Sequence, residues 1–82
     1  MRLVYFASLR ERIGKSEEEL DLPDSLRTIG ELIDWLAARD EFYAAAFAKG
    51  IARAAINKKH VKPEALIAGA REIAFFPPMT GG

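Results

Sequence analysis

Eighty-two residues, half of them hydrophobic, suffice for one small core and leave no room for a second. Twelve basic and twelve acidic residues balance to zero net charge, which argues against a general affinity for nucleic acid or membranes. The absence of cysteine excludes disulfides, thiolate metal sites and thiol nucleophiles, so any sulfur chemistry needs a sulfur atom outside the side chains.

The charges are unevenly spread. Glu17 to Asp24 holds five acids and no base, and Lys49 to Lys62 holds five bases and no acid. They read as solvated edges of opposite sign, with a docking patch as the alternative. Met1 leads into "RLVYF", too short for a signal-peptide core, and no stretch approaches the ~20 apolar residues of a membrane span. A cytoplasmic protein is expected.

In chain order, "RLVYFA" reads as a buried first strand, Arg2 to Phe6. In "SLRERIG", Ser8 and Glu11 have capping-box spacing and Gly14 suits a left-handed stop, giving a helix of one or two turns. "EEELDLP" alternates around Leu20 and Leu22 and reads as a half-exposed strand near a sheet edge, forming with the first strand a hairpin-like pair. "TIGELIDWLAARD" carries a second capping box, Thr28 with Glu31. Ile29, Leu32, Ile33 and Leu36 then lay down an apolar stripe, with Trp35 at its flank.

"EFYAAAFAKG" is helical in propensity up to Gly50, but Phe42 and Phe47 do not share a face, so an irregular or bent helix is expected. "ARAAINKKHV" reads as one strand around Ile56 with a polar far end, and "EALIAGA" as a turn-rich connection. "REIAFFP" is the last strand. Ile73 and Phe75 share one face, Ala74 and Phe76 the other, and Pro77 ends the ladder. This order predicts an α+β fold of the β-grasp type: a mixed sheet of four to five strands packed on one main helix. The first and last strands should lie parallel at its centre. Residues 1–76 form the expected domain and residues 77–82 a flexible extended tail.

Side-chain chemistry is sparse. His60, the single histidine, stands among Lys58, Lys59 and Lys62 and reads as solvated surface. No phosphate loop, nucleophile triad, zinc spacing or metal-ligand set is present in the sequence. The ending "FFPPMTGG" is the exception. Pro77 and Pro78 hold the chain extended, and Pro78 to Gly82 spans roughly 17 Å at full reach. Gly81 and Gly82 have no Cβ, so their backbone passes a channel too narrow for side chains. Such a tip suits an α-carboxylate that is itself the reactive group. A carboxylate is a poor electrophile, so a partner must activate it with ATP as an acyl-adenylate, from which a sulfur donor displaces AMP.

"LVYFASLRERIG", "TIGELIDWLAAR" and "REIAFFPPMTGG" resemble, in order and over nearly the whole chain, the small subunit family of molybdopterin synthase (MoaD family). Thiamine-pathway carriers (ThiS-like) share the diglycine but lack the "YFASLRE" opening and the "FFPPxxGG" ending. The resemblance implies a ubiquitin-like β-grasp sulfur carrier in molybdenum cofactor biosynthesis. An ATP-dependent adenylating enzyme would activate Gly82, which becomes a thiocarboxylate. The tail would insert into the large synthase subunit, in a heterotetramer, and deliver sulfur to cyclic pyranopterin monophosphate.

On that resemblance Gly82 is the covalent site, Gly81 the slim penultimate residue, and Pro77, Pro78, Met79 and Thr80 the inserted stalk. Phe76 is assigned to the partner interface, the alternative being that both Phe75 and Phe76 are core. No bound cofactor is expected, ATP being used by the activating partner, and neither nucleic acid nor membrane is a partner. The chain has "AGARE" where the family often has an acidic turn, and only Gly69 and Glu72 correspond. A carrier for thiazole synthesis and a ubiquitin-like modifier without sulfur chemistry remain the alternatives.

Overall fold

The first strand, β1 (Arg2–Tyr5), alternates strictly. Leu3 and Tyr5 point inward and are fully buried, while Arg2 and Val4 point outward. This computed structural model describes residues 1–48 and 52–78. The strand stops one residue short of the expected Phe6, which becomes the N-cap of α1 (Ala7–Ile13) although its N–H still donates to the Phe75 carbonyl at 3.0 Å. Ala7 has φ 52°, a left-handed value that turns the chain directly from strand into helix. The helix therefore begins ahead of Ser8, and the capping box expected at Ser8 and Glu11 does not form; no side chain caps this end. Gly14, at φ 87°, ends the helix as expected, its N–H donating to Arg10 O at 2.8 Å.

β2 (Glu17–Glu19) pairs antiparallel with β1, Arg2 opposite Glu19. It is shorter than its alternation suggests: Leu20 and Leu22 reach the core from the following loop. In α2 (Ile29–Ala37) the expected capping box is complete, with Glu31 N donating to Thr28 Oγ1 and Thr28 N to Glu31 Oε1, both at 3.2 Å. Ile29, Leu32 and Leu36 are buried, and Ile33 and Trp35 pack at the margin. Thr28→Ala is expected to cost about 1 kcal/mol in urea unfolding without altering the native far-UV spectrum.

α3 (Glu41–Ala46) is capped by Asp40, whose Oδ1 accepts from Phe42 N and Tyr43 N. It buries Tyr43 and Ala46, with Phe47 buried just beyond its end and Phe42 58% exposed. The expected helix end at Gly50 lies outside the described residues.

The basic segment corrects the reading of one strand around Ile56. β3 (Arg53–Ile56) and β4 (Lys59–Val61) form a hairpin joined by Asn57 and Lys58. Both turn residues have positive φ, 49° and 71°, as a type I′ turn requires. The turn lacks the glycine that usually marks it. β5 (Glu72–Phe76) completes a five-stranded sheet of order β2-β1-β5-β3-β4, parallel to β1 and antiparallel to β3. The two most apolar strands are thus neighbours inside the sheet, and the three helices contribute to one core on its inner face.

Glu18 is the inward residue of the edge strand, and its neighbours draw it out of the solvated set expected for the acidic stretch. Its Oε2 accepts from Tyr5 and Tyr43 hydroxyls, each at 2.7 Å, and its Oε1 from Lys15 Nζ at 3.0 Å. Arg39 lies 4.0 Å away. Burial alone raises the Glu18 pKa, but the hydrogen bonds from Tyr5, Tyr43 and Lys15 outweigh it and hold the carboxyl below its ordinary value. Burial, followed by the bond to Glu18, pushes the Tyr5 phenol far up.

The unfolded chain protonates Glu18 first, so the stability it contributes is complete at neutral pH. That stability is lost as pH falls through the ordinary value of 4.5 and then the folded one. For Tyr5, stability is present below its ordinary value of 10.0 and lost as pH rises above it, because only the unfolded phenol ionises there. Glu18→Gln is expected to cost about 1–3 kcal/mol at pH 7 and to flatten the acid limb. Urea midpoints between pH 3 and 7 measure both.

Candidate functional site

The outer face of the sheet, opposite the helices, carries the candidate site. In β5 the residues facing outward are Glu72, Ala74 and Phe76, and register sets Ala55 of β3 beside Ala74 and His60 of β4 beside Ala55. Two small residues at the centre leave a trough. The result is an open groove of about 570 Å³ floored by Ala55 and Ala74. Phe6 and Phe76 stand at one end, Lys58 and Glu72 at the other, with His60 along the side.

Phe6 is 47% exposed and Phe76 half-buried, whereas Phe75 on the opposite face is 0% exposed. The two rings of "FF" thus face different environments, and they are not both core. His60 is exposed as expected, yet its ring lies 5.0 Å from that of Phe76 at a 44° tilt. It belongs to the wall of the groove. Alternation in the last strand set Ala74 on the Phe76 face, but Phe6 and Ala55 were not singled out in the sequence. The alternation of β1 could have flagged Phe6, whereas the Ala55 contribution depends on cross-strand register.

β5 ends at Phe76, and Pro77 and Pro78 follow outside any strand, both half-buried, at the Phe6–Phe76 end of the groove. Met79, Thr80, Gly81 and Gly82 lie outside the described residues. The "AGARE" loop that leads into β5 is tied down by Asn57. Asn57 Oδ1 accepts from Arg71 N at 2.9 Å and Glu72 N at 3.1 Å, and Asn57 N donates to Glu72 O at 2.9 Å. Among the described residues no cluster of histidine and carboxylate side chains has metal-site geometry, and no helix is long and apolar enough to cross a membrane.

Comparison with known proteins places the chain in a family. The molybdopterin synthase sulfur carrier subunit of Haemophilus influenzae is 35% identical over 82 residues, covering all of this chain and 99% of that protein. Its Escherichia coli counterpart is 33% identical over 84 residues, with the same coverage. A solved structure from Pyrococcus furiosus, a candidate molybdopterin converting factor subunit 1, superposes with a TM-score of 0.72 at 25% identity, covering 94% of each chain. The crystal structure of SAMP1 from Haloferax volcanii superposes with a TM-score of 0.71 at 24% identity, over all of this chain and 98% of that one, and supports the ubiquitin-like β-grasp fold. The ThiS family model matches residues 3–82, and with full-length relatives above 30% identity the chain belongs to the ThiS family, alongside the molybdopterin synthase sulfur carrier subunits.

Proposed function

We propose that this protein is the sulfur carrier subunit of a molybdopterin synthase. The observation that carries the reading is full-length identity to relatives of that name. It is supported by a last strand that leads through Pro77–Pro78 beside an exposed apolar groove. In this reading the Gly82 carboxylate attacks ATP on an adenylating enzyme, releasing pyrophosphate and forming an acyl-adenylate. Sulfur supplied at the sulfide oxidation level then displaces AMP, the new C–S bond forming as the C–O bond to AMP breaks, and the chain carries a thiocarboxylate. Its own residues supply no acid, base or metal to these steps; ATP is held by the activating partner.

The carrier then docks on the synthase large subunit, within a heterotetramer in the cytoplasm. Phe76 and Phe6 seat against that subunit, Pro77 to Thr80 thread its channel, and Gly81 passes the narrowest part. The sulfur goes to cyclic pyranopterin monophosphate. The family also takes its name from thiamine-pathway carriers, so the discriminating experiment supplies the thiocarboxylated chain to both acceptors. Sulfuration of the pterin with the large subunit is expected. Delivery to a thiazole synthase alone would reassign the pathway.

A further inference from the structure

Zero net charge hides a division across the sheet. The described ion pairs gather at the β2 side: Glu19 with the Met1 amine, Glu17 and Glu72 with Arg2, and Glu18 with Lys15 and Arg39. On the other side, Arg53, Lys58, Lys59, Lys62 and Arg71 are all exposed and enter none of the described ion pairs. The three glutamates of β2 are paired within the molecule, whereas the cations of the β3–β4 edge enter none of the described pairs.

The basic edge also adjoins the groove. Lys58 lines the end marked by Glu72, four residues along β5 from Phe76, or about 13 Å at ~3.3 Å per residue. It occupies the second turn position at φ 71°, where glycine fits without strain and a lysine does not. The fold thus keeps a cation where backbone stability favours its removal.

We propose that the β3–β4 hairpin is an electrostatic docking edge. Lys58, with Lys59 and Lys62, faces a carboxylate-bearing surface of the synthase large subunit, while an apolar part of that subunit fills the groove. This rests on the reading of the chain as that subunit's partner. Charge complementarity selects the occupant: a second copy of this chain would bring its own basic hairpin or the β2 edge, whose three glutamates are already paired. These cations steer encounter and set the orientation in which the tail meets its channel.

The test is the association rate of the full chain with the purified large subunit of the same organism, at low and high ionic strength. Lys58→Glu/Lys59→Glu/Lys62→Glu is expected to slow association at least tenfold at low salt, to flatten its salt dependence and to change dissociation less. The triple arginine variant should retain the wild-type rate. Lys58→Gly, which relieves the turn, should unfold at a higher temperature than wild type and still associate severalfold more slowly. Unchanged association for the glutamate variant, or an arginine variant as slow as the glutamate one, would overturn the docking edge while leaving the carrier reading intact. So would slowing confined to the adenylating enzyme. Failure of the wild-type chain to bind the large subunit at all would overturn both.

Discussion

Deleting Gly82, or adding one residue beyond it, is expected to reduce sulfur delivery to background while leaving thermal unfolding unchanged. The proposed chemistry occurs at a backbone carboxylate, so no neighbouring group substitutes when that atom moves by one residue. Stability should be indifferent, because the buried core residues described end at Phe75 and β5 ends at Phe76. Single-turnover sulfur transfer to the pterin in the presence of the large subunit, paired with calorimetry of the same variants, separates the two effects. Full transfer from a tail-extended chain that stays unprocessed would contradict the carrier reading.

The adjacent phenylalanines should respond in opposite ways. Phe75 is fully buried, stacked on Tyr5 at 6.2 Å and edge-on to Phe47 at 5.2 Å. Phe75→Ala removes the centre of that cluster and should cost about 3–5 kcal/mol. A domain this small has only about 5–10 kcal/mol in total, so the variant should be largely unfolded under mild heating or denaturant. Phe76→Ala vacates the groove wall on the other face and should leave a folded protein. Its loss appears in the complex, where forgoing about 1.5–3 kcal/mol of apolar burial weakens binding to the large subunit by roughly 10- to 100-fold. Equilibrium unfolding and titration calorimetry on the pair check both halves. A Phe76→Ala chain that binds as tightly as wild type would remove Phe76 from the interface.

The contrast shows which features local pattern carries. Period-two alternation separated Phe75 from Phe76, and apolar runs marked β1 and β5 as inner strands, because both signals lie within a few residues. The Thr28–Glu31 box formed since its spacing coincides with a helix start. The same spacing at Ser8 and Glu11 did not, because the left-handed step at Ala7 started α1 before Ser8. The β3–β4 hairpin escaped notice because Asn57–Lys58 makes a type I′ turn without glycine, so the polar segment looked like a strand running out into solvent.

Features assembled from distant residues were out of reach. Glu18 looked like one acid among five, and its role depends on Tyr43, 25 residues away and in a different element. The groove needs Ala55, Ala74 and His60 in register across three strands, and only the sheet order brings them together. His60 illustrates the limit: its sequence neighbours described an exposed cationic setting correctly and gave no sign of the Phe76 ring beside it. The diglycine ending was read from residue type and position alone, and Gly81 and Gly82 lie outside the described residues.

The most direct test of the central claim is the intact mass of the chain after incubation with its adenylating partner, ATP and a sulfur donor. The carrier reading predicts a mass gain equal to one oxygen replaced by sulfur, located by fragmentation at Gly82 and absent when ATP is withheld. An unchanged mass, with the chain instead joined through its C-terminus to lysines of other proteins, would contradict it.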